Sequence, residues 1–172
     1  MSEDTTLAPE DAPKRALDRL ADAVIAIAAT ALFGLVIVQG WQVFARYVIN
    51  DSPSWTEPVT LLLLSVAMSL GAAAGVHTNR HFGFFLLQEH MRPAIRRLVE
   101  LLVPLVIVAI GAVIAWWGGV LLLDGLHIKA AGAAMPQSIN YLPLSLGGAL
   151  MVLFALDRFM RALRAAPAGE GH

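Results

Sequence analysis

Residues 46–81 read RYVINDSPSWTEPVTLLLLSVAMSLGAAAGVHTNRH, and this stretch decides the fold. A polar turn runs through Asn50-Asp51-Ser52-Pro53 to Trp55-Thr56-Glu57. An apolar run follows from Val59 to Val76, and a second polar turn opens at Arg80-His81. Charge appears only at the edges of the run, which is long enough for one helix to cross a hydrocarbon core of about 30 Å.

Outward from this crossing the same pattern recurs. Lys14, Arg15 and Arg19 precede an apolar stretch from Leu20 to Phe44, and further runs span Leu98 to Leu123 and Tyr141 to Phe159. The sequence thus predicts an all-α integral membrane protein with four transmembrane helices. Continuous runs of this length exclude membrane β-strands, whose segments of about ten residues alternate in polarity. The first run is also too long for the apolar core of a cleaved secretory signal, about 7–15 residues. Residues 1–13 (acidic and Pro-containing) and 165–172 are expected to be disordered tails around a single membrane domain at 14–164. Pro104 is expected to bend the third helix near its start. Asn140 is a candidate cap for the fourth helix, with Pro143 in the first turn, where a missing amide is tolerated.

Composition agrees. The 172 residues are 58% hydrophobic and 15% charged, against roughly 45–50% and about 25% in soluble domains. A net charge of −1 and scattered cations offer no basic face for nucleic acid. The absence of cysteine removes disulfides, thiolate catalysis and Cys-based metal sites. Ten of the twelve Lys and Arg residues flank the chain ends or fill the second connection; only Arg46 and Lys129 lie in the other two. The positive-inside rule then puts both termini in the cytoplasm.

The second connection mixes Phe82, Phe84, Phe85, Leu86, Leu87, Met91 and Ile95 with Gln88, Glu89, His90, Arg92, Arg96 and Arg97. That mixture predicts an amphipathic interfacial segment in contact with membrane lipids, interrupted or restarted at Pro93. The alternative is a third helix that begins early and extends into the cytoplasm.

No ionisable residue lies near the middle of any run. Intramembrane charges usually mark ion or proton pathways, so this chain is read as lacking a solute route of its own. Thr30, Gln39, Gln42, Ser65 and Ser69 are mild polar groups suited to hydrogen bonds between helices. Arg46 and Glu57 flank the first outer turn and are expected to form an interfacial ion pair; snorkelling by Arg46 and capping by Glu57 is the alternative. Ser54 and Glu57 fit a capping box. Trp41, Tyr47 and Trp55 suit an interfacial aromatic belt. Gly71 and Gly75 form a GxxxG motif, extended backward by Ala67, which implies close helix packing with a neighbour left undefined. His77 and His81, four residues apart, raise metal or haem binding, with headgroup or helix-end contacts as the default. Asp124 and Lys129 are a candidate surface pair. No Ser/His/Asp set or H-E-x-x-H motif is present.

Taken together, several short motifs resemble those of one family. Phe44-Ala45-Arg46-Tyr47 closes the first helix, Trp55-Thr56-Glu57 opens the second, and Gly71 is followed by Arg80-His81. Met135-Pro136, Tyr141-Leu142-Pro143 and Gly147 surround the fourth. Their order resembles the small (DctQ-type) membrane subunit of TRAP (tripartite ATP-independent periplasmic) transporters. Two departures are Pro58, where the family often has a second acidic residue, and Phe84-Phe85, where it often has one soon after Arg-His.

The resemblance implies a bacterial inner-membrane scaffold subunit without catalytic residues or cofactors of its own. Its partners would be a large membrane subunit carrying a sodium-coupled path for organic anions, such as dicarboxylates or sugar acids, and a periplasmic substrate-binding protein. Arg46, Trp55 and Glu57 at the outer face and Arg80 and His81 at the inner face are the expected anchoring residues, with Ala67, Gly71 and Gly75 for helix packing. From the residues alone, two alternatives stay open: a haem-binding membrane subunit of an oxidoreductase, suggested by the mid-chain histidines, and a small self-assembling exporter using GxxxG.

Overall fold

A computed structural model describes residues 16–51, 53–78, 93–132 and 135–164. Among these, four helices are long and apolar enough to cross a membrane, and no strand forms beyond one isolated bridge between Lys129 and Pro136. The helices are α1 (Ala16–Phe44), α2 (Thr56–Thr78), α3 (Pro93–Asp124) and α4 (Leu142–Arg164). In a medium without water each backbone N–H and C=O must be satisfied within the segment, and uninterrupted apolar runs do this as helices.

Every helix outruns its expected bounds. At 1.5 Å per residue α1 is ~44 Å long and α3 ~48 Å, more than the hydrocarbon thickness, so their charged ends stand in the interfaces. Pro93 opens α3, a position where the missing amide has no intrahelical partner to lose. Residues 93–97, expected in the interfacial segment, are therefore the first turn of α3; the rest of that segment, with Arg80 and His81, lies outside the described residues. Pro104 is buried inside α3, which continues through it to Asp124.

The end of α1 differs from an ordinary helix stop. Ala45–Ile49 form one π-helical turn, closed by Asn50 in the left-handed region at φ 59°, with the Asn50 and Asp51 amides both donating to the Ala45 carbonyl. Asn reaches this region at less cost than most side chains. α2 then starts from the Pro53 carbonyl, which accepts from the Thr56 hydroxyl at 2.8 Å and from its amide at 3.5 Å. The expected Ser54–Glu57 capping box is not the device used.

α2 lies between α1 and α4, and α3 packs on the far side of α4. The crossings form an open row, α1–α2–α4–α3, in which α1 and α3 make no packed interface. Small residues set the spacing. On α1, Ala21, Val24, Ala28 and Ala31 recur every three or four residues as one narrow buried stripe; the first three of them meet Leu70, Ala73, Ala74 and Val76 of α2 and Phe154 and Ala155 of α4. Lipid supplies no hydrophobic drive between helices, so close van der Waals packing holds them.

The closest approaches between helices involve two adjacent glycines of α4. A β-carbon added to Gly147 would lie 2.6 Å from the Ser69 β-carbon on α2, and one added to Gly148 would lie 2.6 Å from the Ala115 nitrogen on α3. The dipeptide thus seats α4 against both neighbours. Much of the remaining surface is large and apolar: Trp116, Phe33 and Met68 are 72%, 69% and 67% exposed, as lipid-facing side chains should be.

Candidate partner-docking site

At the end of the row opposite the chain termini, the two connections between helices are tied together. Ile128–Gln137 folds back on itself through Ala130 N–H to Met135 O at 2.9 Å and Gln137 N–H to Ile128 O at 2.8 Å. The Ser54 hydroxyl of the first connection donates to the Gly132 carbonyl at 3.0 Å. Gly132 has φ +83°, and any β-carbon there would run into the Ser54 carbonyl oxygen. Deeper in, the Ser65 hydroxyl on α2 donates to the Asn140 carbonyl at 3.1 Å, and the Thr60 hydroxyl donates to Gln39 Oε1 on α1 at 3.4 Å. The Asn140 side chain does not cap α4: the helix starts after Tyr141, whose carbonyl takes the Ser145 amide, and Asn140 Oδ1 is buried without a hydrogen-bond partner.

On this platform Arg46, Trp55 and Glu57 are all exposed. The expected Arg46–Glu57 ion pair is not formed; among the described residues neither side chain makes an ion pair. The π-turn sets where the Arg46 side chain leaves the end of α1, and Glu57 sits in the first turn of α2, where the helix dipole favours a carboxylate. Tyr47 is exposed, and the Trp41 and Phe44 rings lie 6.0 Å apart. Asp124 and Lys129 likewise form no pair among the described residues.

The GxxxG expectation left its neighbour undefined, and none is found among the described helices. Gly71 and Gly75 have nothing within 4 Å of an added β-carbon, so among the described residues neither packs against another helix. They line an open groove of ≈ 670 Å³ between α1 and α2, with Ile25, Ala29, Leu32 and Met68 among its walls. Ala67 lines it too. Of the mild polar groups, Thr30 bonds within its own helix, to the Ala26 carbonyl.

At the end carrying the termini, charged groups from all four helices collect. His77 Nε2 on α2 meets Asp18 Oδ1 on α1 at 2.9 Å, and its ring lies 4.9 Å from that of Phe154 on α4. Asp157 pairs with Arg161. Glu100 on α3 acts electrostatically on Arg158 of α4. Sequence reading missed this layer because Asp18, Glu100 and Asp157 are far apart along the chain; the available signal was that each lies within about two turns of a helix end. Nε2 of His77 is engaged by Asp18, and among the described residues no group of three or more His, Cys, Asp or Glu could hold a metal.

Comparison with curated proteins gave no match. A family model did match, over residues 35–165, described as DctQ: tripartite ATP-independent periplasmic transporters, DctQ component. It takes in the π-turn, the platform, the bare glycines and the α3–α4 pair, and the chain belongs to that family: it is an inner-membrane, DctQ-type small subunit of a TRAP transporter.

Proposed function

We propose that this chain is a non-catalytic brace for the large membrane subunit of a sodium-coupled uptake system for organic anions, carboxylates or sugar acids. The large subunit supplies the solute path. The observation carrying this reading is the bare glycine face of α2. Small residues permit close helix approach, the chain's own helices leave Gly71 and Gly75 uncovered, and a helix of the large subunit fits that groove. The middle of each described helix carries no ionisable side chain, so solute and coupling ions travel elsewhere.

In this reading the termini and their charged layer face the cytoplasm, and the tied connections with Arg46, Trp55 and Glu57 form part of the periplasmic surface that the substrate-binding protein meets. Arg80 and His81 anchor the inner side. Replacing both Gly71 and Gly75 by Leu tests the brace. The isolated chain has room for both side chains, so it should fold and insert as before, whereas co-purification of the large subunit should fall at least ten-fold. Unchanged co-purification would sink the assignment of this face.

A further inference from the structure

The charged layer at the terminal end encloses a cavity of ≈ 220 Å³, lined by Val76 and His77 of α2 and Phe154, Asp157, Arg158 and Arg161 of α4. That is several times the ~30 Å³ a water takes up in the liquid, room for a polar group of several heavy atoms. The floor is apolar, since Val76 and Phe154 belong to the buried cluster where α1, α2 and α4 meet. The rim carries two guanidinium groups three residues apart, on neighbouring positions of one helix face. We propose that this cavity binds the phosphate ester of a lipid headgroup, with Arg158 and Arg161 as its donors.

Arg is suited to this task because its planar fork matches a phosphate with two parallel hydrogen bonds. Each guanidinium has five N–H donors; Asp157 takes Arg161 at one nitrogen only, which leaves others for a ligand. Asp157 pairs with Arg161 and Glu100 acts electrostatically on Arg158, so both carboxylates compete with an incoming anion. Phe154 lies one helical turn nearer the bilayer than Arg158, which sets the two guanidinium groups at headgroup depth. The site does not depend on the docking face between α1 and α2 and is tested separately.

The test uses the full chain in detergent and counts adducts by native mass spectrometry. The probes are phosphatidylglycerol, a diacylglycerol with the same acyl chains, and inorganic phosphate. Wild-type protein should hold one phosphatidylglycerol at least ten-fold more tightly than diacylglycerol. Arg158→Gln with Arg161→Gln should remove that preference, while Arg164→Gln leaves it intact. Glu100→Gln, which frees Arg158 of its competitor, should tighten phosphatidylglycerol binding a few-fold; this arm decides the matter even if the double Arg variant fails to fold. Displacement of the lipid by inorganic phosphate would keep the phosphate site and name the free ion as its occupant. Equal retention of the two lipids by wild type, or weaker phosphatidylglycerol binding in Glu100→Gln, would overturn the proposal and leave the layer as helix pairing alone.

Discussion

Substituting Ala for Gly148 and, separately, for Gly71 turns the packing of this chain into a measurable difference. At Gly148 the new β-carbon would meet the Ala115 nitrogen at 2.6 Å, the Gly111 carbonyl oxygen at 2.9 Å and the Ala115 α-carbon at 3.0 Å. Ordinary contact begins near 3.4 Å, so α3 and α4 must part by roughly 0.8 Å, and that gap forfeits dispersion contacts along the interface. Overpacking of this kind costs about 1–3 kcal/mol. At Gly71 nothing lies within 4 Å. Both substitutions gain the same helix-propensity term, about 1 kcal/mol in aqueous hosts, and it cancels when the variants are compared. The difference between them should therefore be about 1–3 kcal/mol, with Gly148→Ala the less stable. Unfolding of the purified chain in a denaturing-detergent titration, followed by the fluorescence of its four tryptophans, reads this directly. Equal stability of the two variants, or a larger loss at Gly71, would show that the close contact is not between α3 and α4.

Two further expectations concern the platform. Because Arg46 and Glu57 do not pair, their Ala substitutions should weaken assembly or uptake additively, within about 0.3–0.5 kcal/mol in a double-mutant cycle; a coupling well beyond that would show that they meet in the working complex. Gly132→Ala should lower the stability of the tied connections by more than Ser54→Ala. The first adds a left-handed strain of roughly 1–2 kcal/mol to a backbone clash, whereas the second loses one hydrogen bond worth about 0.5–1.5 kcal/mol. Limited proteolysis at the 128–137 connection ranks them, and a Ser54→Ala chain cut as fast as Gly132→Ala would contradict the geometry.

The crossings were legible because continuous apolar runs leave the backbone one way to satisfy itself. Their ends were read short, since Asp18, Arg97 and Arg161 look like flanking polar residues although α1, α3 and α4 run through them. The residues expected to anchor at the first turn were visible as residue types, but not their relations: Ser54 spends its hydroxyl on Gly132, 78 positions away, and no local pattern announces that bond. The π-turn at Ala45–Ile49 was equally hidden, because its five residues suit an α-helix. Glycine spacing was a partial signal. GxxxG identifies a face that permits close approach without saying whose helix arrives, so Gly71 and Gly75 drew attention while Gly147-Gly148 holds the row together.

The absence of cysteine makes the central claim accessible in native membranes. A single Cys in place of Met68, on the groove, and another in place of Val113, an exposed position on α3, can each carry a short photoactivated crosslinker in cells that also express the large subunit. The docking account expects a crosslinked band of combined mass from position 68 and none from position 113. Crosslinking from position 113, with position 68 reacting only with lipid, would place the partner on the opposite side of the row and contradict the account.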